Sequence, residues 1–230
     1  MILYNDLKNI IIFGTGNVAD IIGHYLKDRV VCYTVDGNYI KESTFKGKPI
    51  VPFEDIEREF PAEKYNMFVA IGYNKLNHLR ANAYFRAKAK KYSFISYLDD
   101  RALCSNKIKT IGENTFIFEL NNLQYNVNVG NNVILWAGNH IGHETTIRDH
   151  SYLASHIVIS GFCDIGEYNF IGVNATFADG VKTGKNNLIG AGSYIATSTE
   201  DNQVFVPPKS RILTFDDLSP KAQEMWRPSR

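Results

Sequence analysis

A chain of 230 residues, 44% of them hydrophobic, has length enough for one large core or two modest ones. Its 25 Lys and Arg nearly balance 24 Asp and Glu, and the formal charge of +1 leaves no basic stripe, so nucleic acid is not an expected partner. No apolar run near the start is long enough for a signal core or a membrane span, and Cys32, Cys104 and Cys163 are scattered; no membrane insertion and a reducing, cytoplasmic setting are expected.

The first hundred residues alternate between two periodicities. Asn9–Phe13 is a short apolar run that ends in Gly14-Thr15-Gly16-Asn17-Val18-Ala19, followed by a helical stretch to about Lys27. Val30–Val35 is a second strand, closed by Asp36. Phe45–Ile50 reads as a turn and Glu54–Phe60 as a short helix. Met67–Ile71 is a third strand, followed by Gly72-Tyr73-Asn74. Residues 75–91 form a helix and Tyr92–Ile95 a fourth strand. Strands alternating with helices imply a small parallel α/β sheet over 1–100, Rossmann-like in its first turn.

That turn, Gly14-x-Gly16-x-x-Ala19, follows a strand and opens a helix, the setting in which backbone N–H groups and a helix N-terminus receive phosphate. Asp36, ending the second strand, is placed to accept from ribose hydroxyls. The plainer reading is a tight strand–helix turn without a ligand. A sheet of about four strands is half of what a dinucleotide spans, so a mononucleotide-type ligand fits better than NAD. Gly72 and Asn74, at the end of the third strand, fall on the same sheet edge.

Residues 96–110 carry the chain into a different regime. From Ile111 to Ile195 an apolar residue returns every sixth position: Ile111, Ile117, Leu123, Val129, Leu135, Ile141, Ile147, Leu153, Ile159, Ile165, Ile171, Phe177, Thr183, Ile189, Ile195, with only Thr183 out of character. Six is neither a helix period nor a hairpin spacing; it suits short strands joined by tight corners, coiling over 101–230 with the sixth residue inward. Gly often follows that residue, as at Gly112, Gly142 and Gly166, where it is expected to supply unusual corner angles. Four positions after it lies Thr115, Val133, Thr145, Ser151, Cys163, Ala175 or Ser193, so Cys163 reads as a core thiol. Beyond Ile195 the repeat is lost, and Leu218–Trp226 is expected to form a short capping helix.

Of the six His, His24 and His78 fall on helices of the α/β part, and His140, His143, His150 and His156 on the coil. His143 stands at a corner and is expected to point outward. Glu144 follows it, and a carboxylate beside an imidazole makes a general base; a merely solvated corner is the competing reading. No pair among the coil His has the eighteen-residue spacing that would stack ligands on one edge, so no metal is expected.

A small Gly-x-Gly-x-x-Ala α/β domain followed by hexads bearing Ile141-Gly142-His143-Glu144-Thr145, with Ser160-Gly161 and Ile189-Gly190-Ala191-Gly192-Ser193 downstream, resembles the NeuD/PglD-type sugar acyltransferases over nearly the whole chain. The resemblance implies a three-sided left-handed parallel β-helix assembling as a homotrimer. It implies a nucleotide-linked sugar, commonly a UDP-amino sugar, on the α/β domain, and acetyl-CoA in a groove between neighbouring coils. It makes His143 the base and Glu144 its orienting partner. Gly161, Ala191 and Gly192 would receive the pantetheine arm, and Gly14, Gly16, Asp36, Gly72 and Asn74 the nucleotide sugar. Tyr152 stands where some members carry a second His against acetyl-CoA. Two other positions depart from the pattern: Phe205-Val206-Pro207-Pro208-Lys209 at the end of the coil, and Trp136 at a place usually given to a small residue.

On this reading His143 takes a proton as a sugar amine attacks the thioester, backbone N–H groups near Gly161 stabilise the oxyanion, and no covalent acyl-enzyme forms. O-acetylation of a sugar hydroxyl, as on a sialic acid, would use the same base. A non-catalytic coil serving as a scaffold is the third reading.

Overall fold

The computed structural model describes residues 2–3, 8–104 and 108–227. The α/β part comprises β1 (Asn9–Phe13), α1 (Asn17–Leu26), β2 (Val30–Val35), β3 (Thr44–Phe45), β4 (Lys48–Pro52), α2 (Ile56–Glu59), β5 (Tyr65–Val69), α3 (His78–Ala89) and β6 (Ser93–Phe94). They form a six-stranded sheet in the order β3-β4-β2-β1-β5-β6, parallel except for the β3–β4 hairpin. Covered on both faces, its central strand is continuously apolar. Ile10 and Ile12 pack with Ile22 and Phe68 on one side, while Ile11 and Phe13 pack with Met67 and Tyr84 on the other.

Two strands and one helix start differ from the sequence reading, and the sheet has six strands where about four were expected. The segment expected as a turn holds the turn only at Lys46 and Gly47, both left-handed; Lys48–Pro52 continues as a strand beside β2. Its two prolines hid it, yet Tyr33 to Val35 leave it near the sheet edge, where missing N–H groups are tolerated. The helix expected from residue 75 starts at His78, because Lys75, Leu76 and Asn77 are all left-handed (φ 51°, 46° and 67°). Three such residues in succession cost roughly 1–2 kcal/mol each and need outside support.

The rest of the chain winds into a three-walled prism. The first wall stacks Ser96–Leu98, Phe116–Ile117, Ile134–Leu135, Tyr152–Leu153, Phe170–Ile171, Leu188–Ile189 and Val204–Phe205; Ile2–Leu3 adds an antiparallel strand at its start. The second stacks Leu103–Cys104, Asn122–Leu123, His140–Ile141, Val158–Ile159, Thr176–Phe177 and Tyr194–Ile195. The third runs Thr110–Ile111, Asn128–Val129, Thr146–Ile147 and Asp164–Ile165. Between Thr110 and Ile195 neighbours in a wall are parallel and eighteen residues apart, as in Ile134↔Tyr152, His140↔Val158 and Thr146↔Asp164. Fold class thus agrees with expectation: a Rossmann-like sheet followed by a left-handed β-helix. The sixth residues form its core, and Ile117, Leu123, Ile141, Ile147, Leu153, Ile159, Ile165 and Ile171 are wholly buried. At Thr183, the odd member, the third wall is reduced to a single bridge. There the hydroxyl accepts from the Gly166 N–H and the Asn169 amide, which removes the cost of burying it.

The corner glycines serve another purpose than the expected one. The left-handed residue of each corner lies three places after the apolar one, and it is mostly not glycine: Asn114, Asn126, Asn132, Glu144, His150, His156, Phe162, Tyr168, Asn174 and Asn186. Asn tolerates this region best among residues with a Cβ. Glycine directly after the apolar residue answers to stacking instead. A Cβ on Gly112 would stand 2.5 Å from the carbonyl of Gly130 one coil on, and one on Gly142 2.5 Å from that of Ser160.

The α/β part is bolted to the first wall and to the edge between the third and first. Outward-facing Phe116, Ile134 and Tyr152 of that wall share a cluster with Ile10, Ile12 and Ile22. Along the edge, Asn114 accepts from the Val69 N–H and donates to Asn132, whose amide donates to Nδ1 of His150. Arg80 is fully buried, and among the described residues no carboxylate pairs with it. It donates to the carbonyls of Gly72, Asn132, His150 and Ser151 and to Oδ1 of Asn77, and Asn77 in turn donates to the carbonyls of Tyr168 and Asn169. Five acceptors replace water around one cation, and desolvation lowers its pKa to about 9. At the other end, Leu218–Trp226 does hold a helix (Pro220–Trp226); none of its residues is buried in this chain, and Trp226 remains 68% exposed.

Two outcomes test this architecture. Gly112→Ala, which drives a methyl into backbone, is expected to lower stability by about 1–3 kcal/mol in urea unfolding, whereas Asn174→Gly should change it by a few tenths. Burial also pushes the pKa of His150 down to about 4, with the nearby Arg80 charge adding to it. Below pH ~6.5 the unfolded chain takes up a proton that the folded one refuses until about pH 4, so stability drains over that window by up to about 3 kcal/mol. His150→Asn, which keeps the left-handed corner, should remove that share of acid sensitivity; equal pH dependence of the two proteins would contradict the assignment.

Candidate functional site

The cavity of interest lies at the carboxyl ends of the parallel strands. It is a cleft of about 880 Å³ whose walls include Gly14, Gly16, Asp36, Gly72 and Asn74, so the five residues expected to serve one ligand converge. Gly14 has φ 132°, and a Cβ there would meet the Ala70 carbonyl oxygen at 2.8 Å. The turn therefore requires glycine at that position. Gly16 is the N-cap of α1 and no side chain caps it, so the first N–H groups of the helix are left for an anion. Tyr39, Phe45 and Ile50 close the cleft on the β4 side.

One residue of this cleft escaped the sequence reading. Arg86 of α3 reaches over the sheet and holds Asp36 with two bonds, Nη1 to Oδ2 at 3.0 Å and Nη2 to Oδ1 at 2.5 Å. Its guanidinium also stands 4.8 Å from the Phe53 ring centre, and the bond to Asp36 raises its pKa. Asp36 is thus a fixed carboxylate with one face already engaged. A basic residue at helical spacing in residues 75–91 was visible, but its partner fifty residues away was not.

His143 stands on the edge between the second and third walls. It is exposed, and its ring lies over Gly161 in the next coil: a Cβ on Gly161 would meet Cε1 at 2.6 Å. The Phe162 ring borders it at 4.8 Å, nearly perpendicular. Its backbone N–H donates to Oε1 of Gln124 from the coil before. Glu144 is the left-handed corner residue (φ 57°), and its carboxylate accepts from Nδ2 of Asn126 at 2.6 Å rather than from the imidazole. Of the backbone N–H groups near Gly161 expected to face an oxyanion, that of Gly161 itself donates instead to Oδ1 of Asp179 at 2.9 Å. The same position forms such ladders in other coils, as between Asn131 and Asp149, which is why the amide is occupied.

The other expected contacts fall on different edges. Ala191 and Gly192 are exposed on the edge between the first and second walls, so the second wall separates them from His143 and Gly161. Tyr152 is only 5% exposed, in the layer between the first wall and the α/β part. Its hydroxyl accepts from the Trp136 indole N–H, and its ring meets Tyr73 and Phe170. Within one chain Tyr152 and His143 therefore do not form a pair. Trp136, partly exposed, packs with Phe116 and Phe118. Cys163 is a buried thiol donating to the Ala178 carbonyl, its pKa raised by burial. Among the described residues no cluster of three or more His, Cys, Asp and Glu could hold a metal, and no helix is long and apolar enough to cross a membrane.

No protein-family model matches the chain. Solved structures do share its fold. A histidine variant of perosamine N-acetyltransferase from Caulobacter crescentus, in complex with CoA and GDP-perosamine, superposes with a TM-score of 0.76 at 21% identity, covering 86% of this chain and 93% of that one. The acetyltransferase domain of PglB from Neisseria gonorrhoeae gives 0.75 at 18% identity, over 86% and 95%. WeeI from Acinetobacter baumannii gives 0.76 at 16% identity, over 89% and 99%. The resemblance to NeuD/PglD-type sugar acyltransferases is therefore met at the level of the fold.

Gly161→Ala separates the notch under His143 from the frame of the coil. The three atoms its methyl would meet first all belong to the His143 ring, the far end of a rotatable side chain, so stability should hold within about 1 kcal/mol. The imidazole must swing away, and the His143 ring resonances should shift by NMR. A large loss of stability would mean that the notch belongs to the frame.

Proposed function

We propose that this protein transfers an acetyl group from acetyl-CoA to the amino group of a nucleotide-linked amino sugar. The observation that carries the reading is the convergence of Gly14, Gly16, Asp36, Gly72 and Asn74 on one cleft beside an uncapped helix N-terminus. It is supported by a fold shared with proteins described as acetyltransferases, some in complex with CoA or a GDP-sugar. The phosphates lie at Gly14–Gly16. Asp36, steadied by Arg86, accepts from the nucleoside.

His143 is the general base. The neutral amine attacks the thioester carbonyl while His143 takes its proton; the tetrahedral adduct then collapses, the C–S bond breaks, and the thiolate of CoA leaves with the proton returned. Such proton transfer is typically worth about 10^2–10^4 in rate, and holding both substrates supplies more. Glu144, tied to Asn126, steadies the corner that presents the imidazole. Gly161 leaves room beneath the ring; Ala191 and Gly192, which the second wall of the same chain separates from His143, border the pantetheine arm of a CoA held between copies. The oxyanion takes its hydrogen bonds from groups other than the Gly161 amide.

The placement of His143 carries a consequence for assembly. The cleft-bearing part sits against the first wall, and in a three-walled prism the edge between the second and third walls is the one opposite. The base of one copy therefore serves the sugar held by another, and a homotrimer is the assembly proposed. His143→Ala is expected to lower kcat at least about a hundredfold with CoA affinity nearly unchanged, measured with amino and hydroxyl nucleotide sugars side by side. Gly16 has open space around it, so Gly16→Asp should repel phosphate without disturbing the fold. Neither variant is active alone; co-expressed, they should regain about a quarter of the wild-type rate, since random mixing gives that share of sites an intact cleft and an intact base from different copies. No recovery would show that cleft and base act within one chain.

A further inference from the structure

The cleft accounts for a nucleoside diphosphate, and its geometry indicates where the sugar leaves it. Its lining follows the sheet order: Phe45 and Ile50 beside β4, Asp36 after β2, Gly14 and Gly16 after β1, Gly72 and Asn74 after β5. With phosphates at the α1 N-terminus and the nucleoside toward Asp36, the sugar emerges at Gly72–Asn74. Between these two residues, Tyr73 turns out of the cleft toward the prism. The residue is 51% exposed, and its ring leans on Phe170 (4.7 Å) and Tyr152 (5.1 Å) of the first wall. Trp136 continues this shelf, its indole N–H already bonded to Tyr152 and its ring surface partly open.

We propose that the sugar ring of the nucleotide-linked substrate sits outside the cleft, with its C–H face on Tyr73 and the aromatic shelf behind it. This rests on the nucleotide-sugar reading above and adds a subsite to it. The backbone around Tyr73 is held with unusual care for an exposed loop. Its carbonyl accepts from the Asn77 N–H at 3.1 Å, closing the left-handed turn Lys75–Asn77. Asn77 is bonded to the prism at Tyr168 and Asn169, and Arg80 holds the Gly72 carbonyl at 3.1 Å. Strain of this kind persists only where the surroundings over-determine it, and here it fixes a flat aromatic surface at the mouth of a cavity. A rigid aromatic face with few rotors binds a sugar face at low entropic cost.

The test is calorimetric binding to the purified full chain of UDP, GDP, UDP-glucose and GDP-mannose, the pair with the stronger wild-type signal being carried forward. In the wild type the sugar conjugate should bind more tightly than its bare diphosphate. Tyr73→Ala should weaken the conjugate about tenfold while leaving the diphosphate within twofold, and Tyr73→Phe should match the wild type. Tyr73→Leu, which keeps an apolar side chain on Phe170 but removes the flat face, should behave as Tyr73→Ala and covers the case in which the alanine variant fails to fold. Equal loss of both ligands, or a conjugate unaffected by Tyr73→Leu, overturns the subsite and leaves the nucleotide cleft standing. Absence of binding by all four ligands in the wild type overturns both.

Discussion

Repetition of one inward aliphatic side chain every six residues sets the geometry on which the rest depends. Three such residues complete a coil, and the next coil is then in register eighteen residues on, as Ile141 pairs with Ile159 and Ile159 with Phe177. A slip by one would turn the aliphatic column outward. The register also explains the corners: glycine where coils nearly touch, and Asn or another tolerant residue where the backbone must turn left-handed. His143 and Glu144 owe their places to this register, not to any local motif.

A stiff prism gives the α/β part a surface to stand on. The contact combines two devices of different physical character. Aromatic and aliphatic groups of the first wall extend the core of the sheet, a non-directional term proportional to buried area. The Asn114–Asn132–His150 ladder and the Arg80 clamp add directional bonds that choose one orientation. Arg80 without a carboxylate is informative here. An ion pair would satisfy the charge, but backbone carbonyls from two coils and from Gly72 make the cation a gauge of how the two parts meet.

That orientation separates the chemistry. The cleft lined by Gly14, Gly16 and Asp36 lies beside the first wall, while the His143 imidazole stands on the edge between the second and third walls. Tyr152, which sequence position placed near the thioester, is committed to the layer between the two parts. On the proposed function, this separation makes one copy depend on another. Tyr73 and Trp136 give the first-wall side an aromatic surface beside the mouth of the cleft.

The sequence by itself determined a coil of short strands with one aliphatic column inward, because a sixfold apolar period fits neither helix nor hairpin; its three walls were implied only by the resemblance. It determined the phosphate-type turn too, since Gly14 and Gly16 between a strand and a helix are a local pattern. The five cleft residues were legible for the same reason: each ends a strand of one parallel sheet, and strand ends share an edge. Other features rest on partners distant in the chain, and only the tertiary structure decided them. Arg86 meets Asp36 across fifty residues, Asp179 takes the Gly161 amide from the next coil, and Asn126 takes the Glu144 carboxylate from the coil before. Periodicity records which face a residue is on, but not which edge of the prism faces the sheet. That choice arises from packing and buried hydrogen bonds between segments far apart in sequence, and no window along the chain contains it.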